Sequence, residues 1–189
     1  NACKERRLPI RIGVNSGSLE KELIQKYGSP TPQALVESAL KHVNILNDVG
    51  FDDIVISIKS SDVRTTVEAY RLLAQQCEYP LHLGVTEAGT ERMGLIKSSI
   101  GIGSLLLDGI GETIRVSLTA DPVKEIYAAK DILKSIGKFK GVQVISCPTC
   151  GRTRIDVEKI ACKIENAVKN IDKNIKIAVM GCAVNGPGE

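Results

Sequence analysis

Ile54-Val-Ile-Ser-Ile-Lys59, followed by Ser60-Ser-Asp62, is the stretch on which the fold turns. Ile54, Ile56 and Ile58 share one face of an extended chain, and Val55, Ser57 and Lys59 share the other. A short run of branched residues ending at Ser61-Asp62, a helix-opening pair, reads as a strand feeding a helix. The pattern recurs at 10–15, 81–87 and 114–118, with Thr31-Pro32 and Asp121-Pro122 supplying N-caps followed by proline, and Gly137 ending the last helix. Alternating strands and helices predict an α/β chain of βα units with parallel strands.

The two faces of these strands differ. One carries Ile10, Ile12, Val14, Leu81, Leu83, Val85, Ile114, Val116 and Leu118, and suits packing against helices. The other carries Arg11, Gly13, Asn15, Ser57, Lys59, His82, Gly84, Thr86, Arg115 and Ser117. In a closed β/α barrel that side is the lumen, usually filled by branched apolar residues, and here it is opened for a polar ligand. Glu87 breaks the alternation at a strand end, where a loop can turn it inward. Four strands cannot close an eight-stranded barrel, so the sequence reads as a fragment. After the glycines at 137 and 141 a smaller βαβ unit is predicted: a strand at 142–146, an amphipathic helix at 156–171 with Val157, Ile160, Ile164, Val168 and Ile171 on one stripe, and a strand at 175–180.

Composition excludes several classes of function. The 25 basic and 22 acidic side chains of the 189 residues leave a net charge of +3, too little for a nucleic-acid footprint, and four Tyr, two Phe and no Trp make no base-stacking platform. The apolar run at 100–107 is far short of a membrane span and stops at Asp108. No signal peptide is visible in Asn1-Ala-Cys-Lys-Glu-Arg-Arg7, and six cysteines are too sparse for a secreted disulfide scaffold, which points to a reducing cytoplasm.

Cysteine spacing is the strongest chemical signal. Cys147 and Cys150 follow one predicted strand and Cys182 follows the next, so a right-handed crossover brings three thiols to the same sheet edge. A tetrahedral zinc site or an iron–sulfur cluster needs one ligand more. Glu189, beyond a Gly-Pro-Gly turn, is a candidate, although spacing by itself favours a solvated terminus. Cys3, Cys77 and Cys162 read as ordinary thiols. Arg11, Lys59 and Arg115 form the second constellation and suit a diphosphate; the competing reading is a salt-bridged lumen with Glu87 as the internal partner. His82 shares the polar side and could touch a ligand, whereas His42 reads as a structural helix residue. Arg152 and Arg154 could tune a cluster's charge or be solvated turn residues. Gly101-Ile-Gly103 and Gly109-Ile-Gly111 lack the full dinucleotide fingerprint and read as helix packing and turns.

Five stretches together resemble a known family: Pro9-Ile-Arg-Ile-Gly-Val-Asn-Ser-Gly-Ser-Leu-Glu-Lys21, Leu81-His-Leu-Gly-Val-Thr-Glu-Ala-Gly89, Arg115-Val-Ser-Leu-Thr-Ala-Asp-Pro122, Cys147-Pro-Thr-Cys150 and Gly181-Cys-Ala-Val-Asn-Gly-Pro-Gly-Glu189. The chain resembles the 4-hydroxy-3-methylbut-2-enyl diphosphate synthases of the non-mevalonate isoprenoid pathway along its whole length. That resemblance implies the C-terminal half of a TIM-type (β/α)8 barrel, strands 5–8, over residues 1–137, and the start of a small α+β iron–sulfur domain, similar to that of sulfite reductases, over 142–189. It implies a 4Fe-4S cluster held by Cys147, Cys150, Cys182 and Glu189, a diphosphate held by Arg11, Asn15, Lys59, Arg115 and Ser117, a substrate contact from Asn185, and Glu87 as the acid beside the substrate. The implied reaction is the two-electron reductive ring opening and dehydration of 2-C-methyl-D-erythritol 2,4-cyclodiphosphate, with ferredoxin or flavodoxin as donor, in a cytoplasmic homodimer whose cluster domain caps the partner's barrel. A full-length member has four more strands before Asn1 and a tail after Glu189, so the resemblance implies that the chain alone is inactive. From another class, Cys147, Cys150 and Cys182 could hold a structural zinc, or Cys147 and Cys150 could be a dithiol redox pair.

Overall fold

The computed structural model describes residues 2–184, so Asn185 and Glu189, both singled out above, lie outside the described residues. The chain divides into two compact units, Asn1–Ile132 and Leu133–Glu189.

The first unit is built on β1 (Ile10–Asn15) and β2 (Ile54–Lys59), which pair in parallel from Ile10 opposite Ile54 to Asn15 opposite Lys59. A parallel bridge between Ile56 and Leu81 carries the sheet to β3 (His82–Leu83), which pairs with β4 (Thr113–Ile114). The helices are α1 (Ala2–Arg6), α2 (Lys21–Tyr27), α3 (Pro32–Asp48), α4 (Val63–Ala74), α5 (Glu91–Leu107) and α6 (Pro122–Ser135). The strands are mutually parallel and follow chain order, and no closed barrel forms among the described residues.

The expected apolar face is the core. Ile12, Val14, Ile54, Ile56 and Ile58 are buried, with α3 and α4 packed on β1 and β2. Helix starts follow the caps read from sequence: Thr31 accepts a hydrogen bond from the Ala34 N–H at 3.2 Å ahead of Pro32, and Asp62 accepts one from the Thr65 N–H at 2.7 Å. Gly101 lets α5 approach the sheet, because a Cβ there would stand 2.6 Å from Val85 Cγ2, while Gly109 and Gly111 take positive φ in a turn.

Two predicted strands are shorter than expected. The stretch 81–87 keeps only His82–Leu83 in regular pairing, and 114–118 keeps only Ile114, preceded by Thr113. Past Leu83 the hydrogen bonds leave the ladder: the Thr86 N–H donates to Ser60 O and the Thr119 N–H to Gly89 O, and Glu87 adopts φ 50°. Helix α5 is the helical stretch expected after 81–87, whereas α1 and α2 have no counterpart among the predicted elements.

The second unit holds β5 (Val142–Ser146), α7 (Val157–Val168) and β6 (Ile175–Val179), with β5 and β6 parallel from Val142 opposite Ile175 to Ser146 opposite Val179. Asp156 caps α7 by accepting from the Lys159 N–H at 3.0 Å. The helix ends at Val168 rather than 171, where the Ile171 N–H closes a turn onto Val168 O, and β6 stops one residue before 180. Val157 is buried, but Ile160 and Ile171 of the same stripe remain 38% and 40% exposed.

Candidate active site

Successive same-face positions of β1–β4 form rows across the sheet. Gly13 pairs with Ser57, the Ile56–Leu81 bridge sets His82 beside Ser57, and His82 pairs with Thr113. Asn15 pairs with Lys59 one row further along. Arg11 stands one row before Gly13 on β1, and Arg115 follows two residues after Thr113. The polar face read from sequence is therefore one surface of the sheet.

Its electrostatics are cationic. Burial first, then Arg11 and Arg115, holds the Lys59 amine below its ordinary range, so the three cations feel one another. Among the described residues neither Arg11 nor Lys59 forms an ion pair, and Arg115 meets Glu125 only at 3.9 Å with its own side chain largely exposed. Glu87 is exposed and in no ion pair, so the salt-bridged lumen with Glu87 as internal partner does not form. Three cations on one face, of which only Arg115 has a carboxylate within 4 Å among the described residues, match the oxygens of a multiply charged phosphate. Asn15 is exposed on the same face and Ser117 half-buried beyond β4, both able to donate to phosphate oxygen.

Glu87 sits in a left-handed conformation that a non-glycine residue seldom adopts. Its side chain is exposed on this turn, four residues past the end of β3. The loop carrying it is tied to the β2 loop through Thr86 and to the segment after β4 through the bridge between Thr90 and Thr119.

In the second unit the segment carrying Cys147 and Cys150 and the segment carrying Cys182 meet at the C-terminal ends of β5 and β6. The Cys147 N–H donates to Val179 O at 3.3 Å, and the Arg154 N–H to Gly181 O at 2.9 Å. Gly181 is required there, since a Cβ would stand 2.6 Å from Val157 Cγ2 and 2.7 Å from Thr153 Cγ2. Donation from Arg152, by backbone and side chain, and from Thr153 pulls the Cys150 thiol below its ordinary range, toward the thiolate that binds metal. No three His, Cys, Asp or Glu among the described residues stand close enough to cage a metal, and the fourth expected ligand, Glu189, is outside them. The donor chemistry, soft sulfur at one sheet end with Arg152 beside Cys150, suits zinc and iron–sulfur ligation alike.

Three features escaped sequence reasoning. Tyr70 of α4 donates from its hydroxyl to His82 O and accepts from the Ile58 N–H at 2.9 Å, pinning β3 to β2 beneath the polar face. Thr113, unremarkable in sequence, lies 2.8 Å from His82 Nδ1. Cys162 lines the same cleft of about 410 Å³ as Cys147, although spacing marked it as an ordinary thiol. A cleft of about 730 Å³ between α2, α3 and α4 contains none of the predicted site residues. His42 is, as expected, a helix residue, 2.8 Å from Ser38 O.

Comparison with known proteins adds an independent line. Residues 1–130 match the GcpE TIM-barrel domain and residues 143–189 the GcpE protein C-terminal domain. The chain is 65% identical over 189 residues to a protein of Clostridium perfringens and 62% identical over 189 residues to one of Caldanaerobacter subterraneus subsp. tengcongensis, each named 4-hydroxy-3-methylbut-2-en-1-yl diphosphate synthase (flavodoxin). All of the chain is covered in both matches, against 54% and 53% of those proteins, so it spans about half the length of the curated relatives it matches.

Proposed function

Since the chain belongs to the GcpE family, we propose that it is the barrel-half and cluster-binding part of an iron–sulfur oxidoreductase of isoprenoid biosynthesis that converts 2-C-methyl-D-erythritol 2,4-cyclodiphosphate to 4-hydroxy-3-methylbut-2-enyl diphosphate. The carrying observation is the cationic face: Arg11, Lys59 and Arg115 on one side of the sheet without a close carboxylate partner among the described residues. A substrate that keeps its phosphates through the reaction needs such an anchor, because binding energy at non-reacting groups positions the reacting bond.

Arg11, Lys59 and Arg115 bind the diphosphate, and Asn15 and Ser117 orient it by hydrogen bonding. Glu87, on its constrained turn, holds or delivers a proton at its carboxyl oxygen, and Asn185 supplies a further contact. Cys147, Cys150, Cys182 and Glu189 hold a 4Fe-4S cluster, the carboxylate being the ligand most easily displaced. When bound, that cluster supplies electrons one at a time together with a Lewis-acidic iron. Flavodoxin, named in the relatives' descriptions, or ferredoxin donates the electrons, and the active form is a cytoplasmic homodimer; no helix of the described residues is long and apolar enough to cross a membrane. The test is anaerobic turnover of the cyclic diphosphate by the intact protein with reduced flavodoxin. Formation of the hydroxylated alkenyl diphosphate supports the reading, and a cluster-loaded protein that leaves the substrate unchanged overturns it.

A further inference from the structure

Between the row of Arg11 and that of Lys59 and Arg115 lies a row that the proposed reaction does not use. His82 is only 8% exposed, its Nδ1 is engaged by Thr113 Oγ1 at 2.8 Å, and its Nε2 is buried with no hydrogen-bond partner. Ser57, its lateral neighbour across the sheet, is fully buried and its Oγ is likewise without a partner. Two of the three orphaned buried side-chain atoms among the described residues, the third being Ser98 Oγ, thus belong to laterally adjacent strand positions, and they mark a place where hydrogen bonding changes when the site is filled. The backbone at this point is fixed, because Tyr70 holds His82 O and the Glu112 carboxylate accepts from the Leu81 N–H. Side-chain chemistry is thus the freedom that remains.

We propose that His82 is a protonation-coupled positioning residue of the anion site, neutral in the free protein and protonated when an anion neutralises Arg11, Lys59 and Arg115. The inference rests on the reading of the cationic face as a phosphate site. The charged and titratable groups around the ring are Arg11 from β1, Lys59 from β2, Arg115 beyond β4, the Tyr70 hydroxyl of α4 on its carbonyl, and Glu112 on the preceding N–H. Burial, then Arg11, Lys59 and Arg115, holds the imidazole below its ordinary range. A bound polyanion reverses the sign of that field, and the buried ring can then carry a proton. Once protonated, Nδ1–H donates to Thr113 Oγ1 and Nε2–H requires an acceptor, which Ser57 Oγ offers from the next strand. The added charge brings a further positive group to the anion from the row between Arg11 on one side and Lys59 and Arg115 on the other.

Nitrogen-15 NMR of the imidazole in the intact protein, titrated over pH with and without inorganic pyrophosphate, tests this; the His82 signal is identified by its loss in His82→Gln. The free ring is expected to be neutral at pH 7 and to titrate about one unit or more higher in saturating pyrophosphate. Thr113→Val, altered at an exposed residue, should keep the signal and lose the tautomer preference. Pyrophosphate that shifts arginine and lysine side-chain resonances but leaves the His82 titration unmoved overturns the inference and leaves the anion site standing. Absence of any pyrophosphate binding overturns both.

Discussion

Two parallel strand pairs in this chain obey the same register rules and have different fates. In β1–β2 the apolar alternation is met by α3 and α4, and Ile54, Ile56 and Ile58 are at most 2% exposed. In β5–β6 one helix serves both strands, and Ile175 and Ile145 stay 43% and 38% exposed, with Val179 buried at 5%. The first region is held by a dry core and can spend its opposite face on polar groups. The second has little core and carries Cys147, Cys150 and Cys182 past the ends of the strands, where ligation to a metal can supply the cohesion that packing does not.

The largest effect should come from breaking that ligation. Cys182→Ala is expected to abolish cluster binding and melt the second region at lower temperature, while hydrogen exchange in β1–β2 of the first stays protected; full iron content and activity in an anaerobic assay would show that the thiol assignment is wrong. Glu189→Ala should retain most of the cluster and lose turnover, because three thiolates remain. Within the first region, Tyr70→Phe strips the partners from two buried backbone groups, Ile58 N–H and His82 O, and should cost about 2–3 kcal/mol in denaturant unfolding. Arg115→Leu should weaken calorimetric affinity for the cyclic diphosphate by about 2 kcal/mol with the fold intact, and unchanged affinity would argue against the anion site.

The smallest effect is at a helix cap. Asp62→Ala should destabilise by about 1 kcal/mol. The Thr65 N–H holds the Asp62 carboxyl below its ordinary range, so its contribution is complete above the ordinary carboxylate pKa and disappears as pH falls through the depressed folded value. The gap between wild type and Asp62→Ala should accordingly close in acid, and a gap that persists there would mean the cap acts through something other than its charge.

Strand β2, the caps Thr31 and Asp62, and strand β5 were legible because period and cap chemistry are local. Helix α5 was legible only as a helical stretch after 81–87, without bounds: Gly94 and Gly101 interrupt the apolar period that marks a helix, since close packing against Leu118 and Val85 favours small residues. The early ends of β3 and β4 depend on loop-to-loop bonds such as Thr86 to Ser60 that no pattern announces. For the site, alternation was enough to gather Arg11, Lys59 and Arg115 on one face. The Tyr70, Thr113 and Ser57 surroundings of His82 come from pairing between strands far apart in sequence, which single-strand periodicity does not encode.

The central claim, that Cys147, Cys150 and Cys182 serve iron–sulfur rather than zinc or dithiol chemistry, is tested most directly by iron, sulfide and zinc analysis of the intact protein purified without oxygen. The account predicts a brown protein containing iron and acid-labile sulfide in equal amounts, lost together in Cys182→Ala. A colourless protein carrying zinc, or one free of metal with Cys147 and Cys150 cycling between thiol and disulfide, would contradict it.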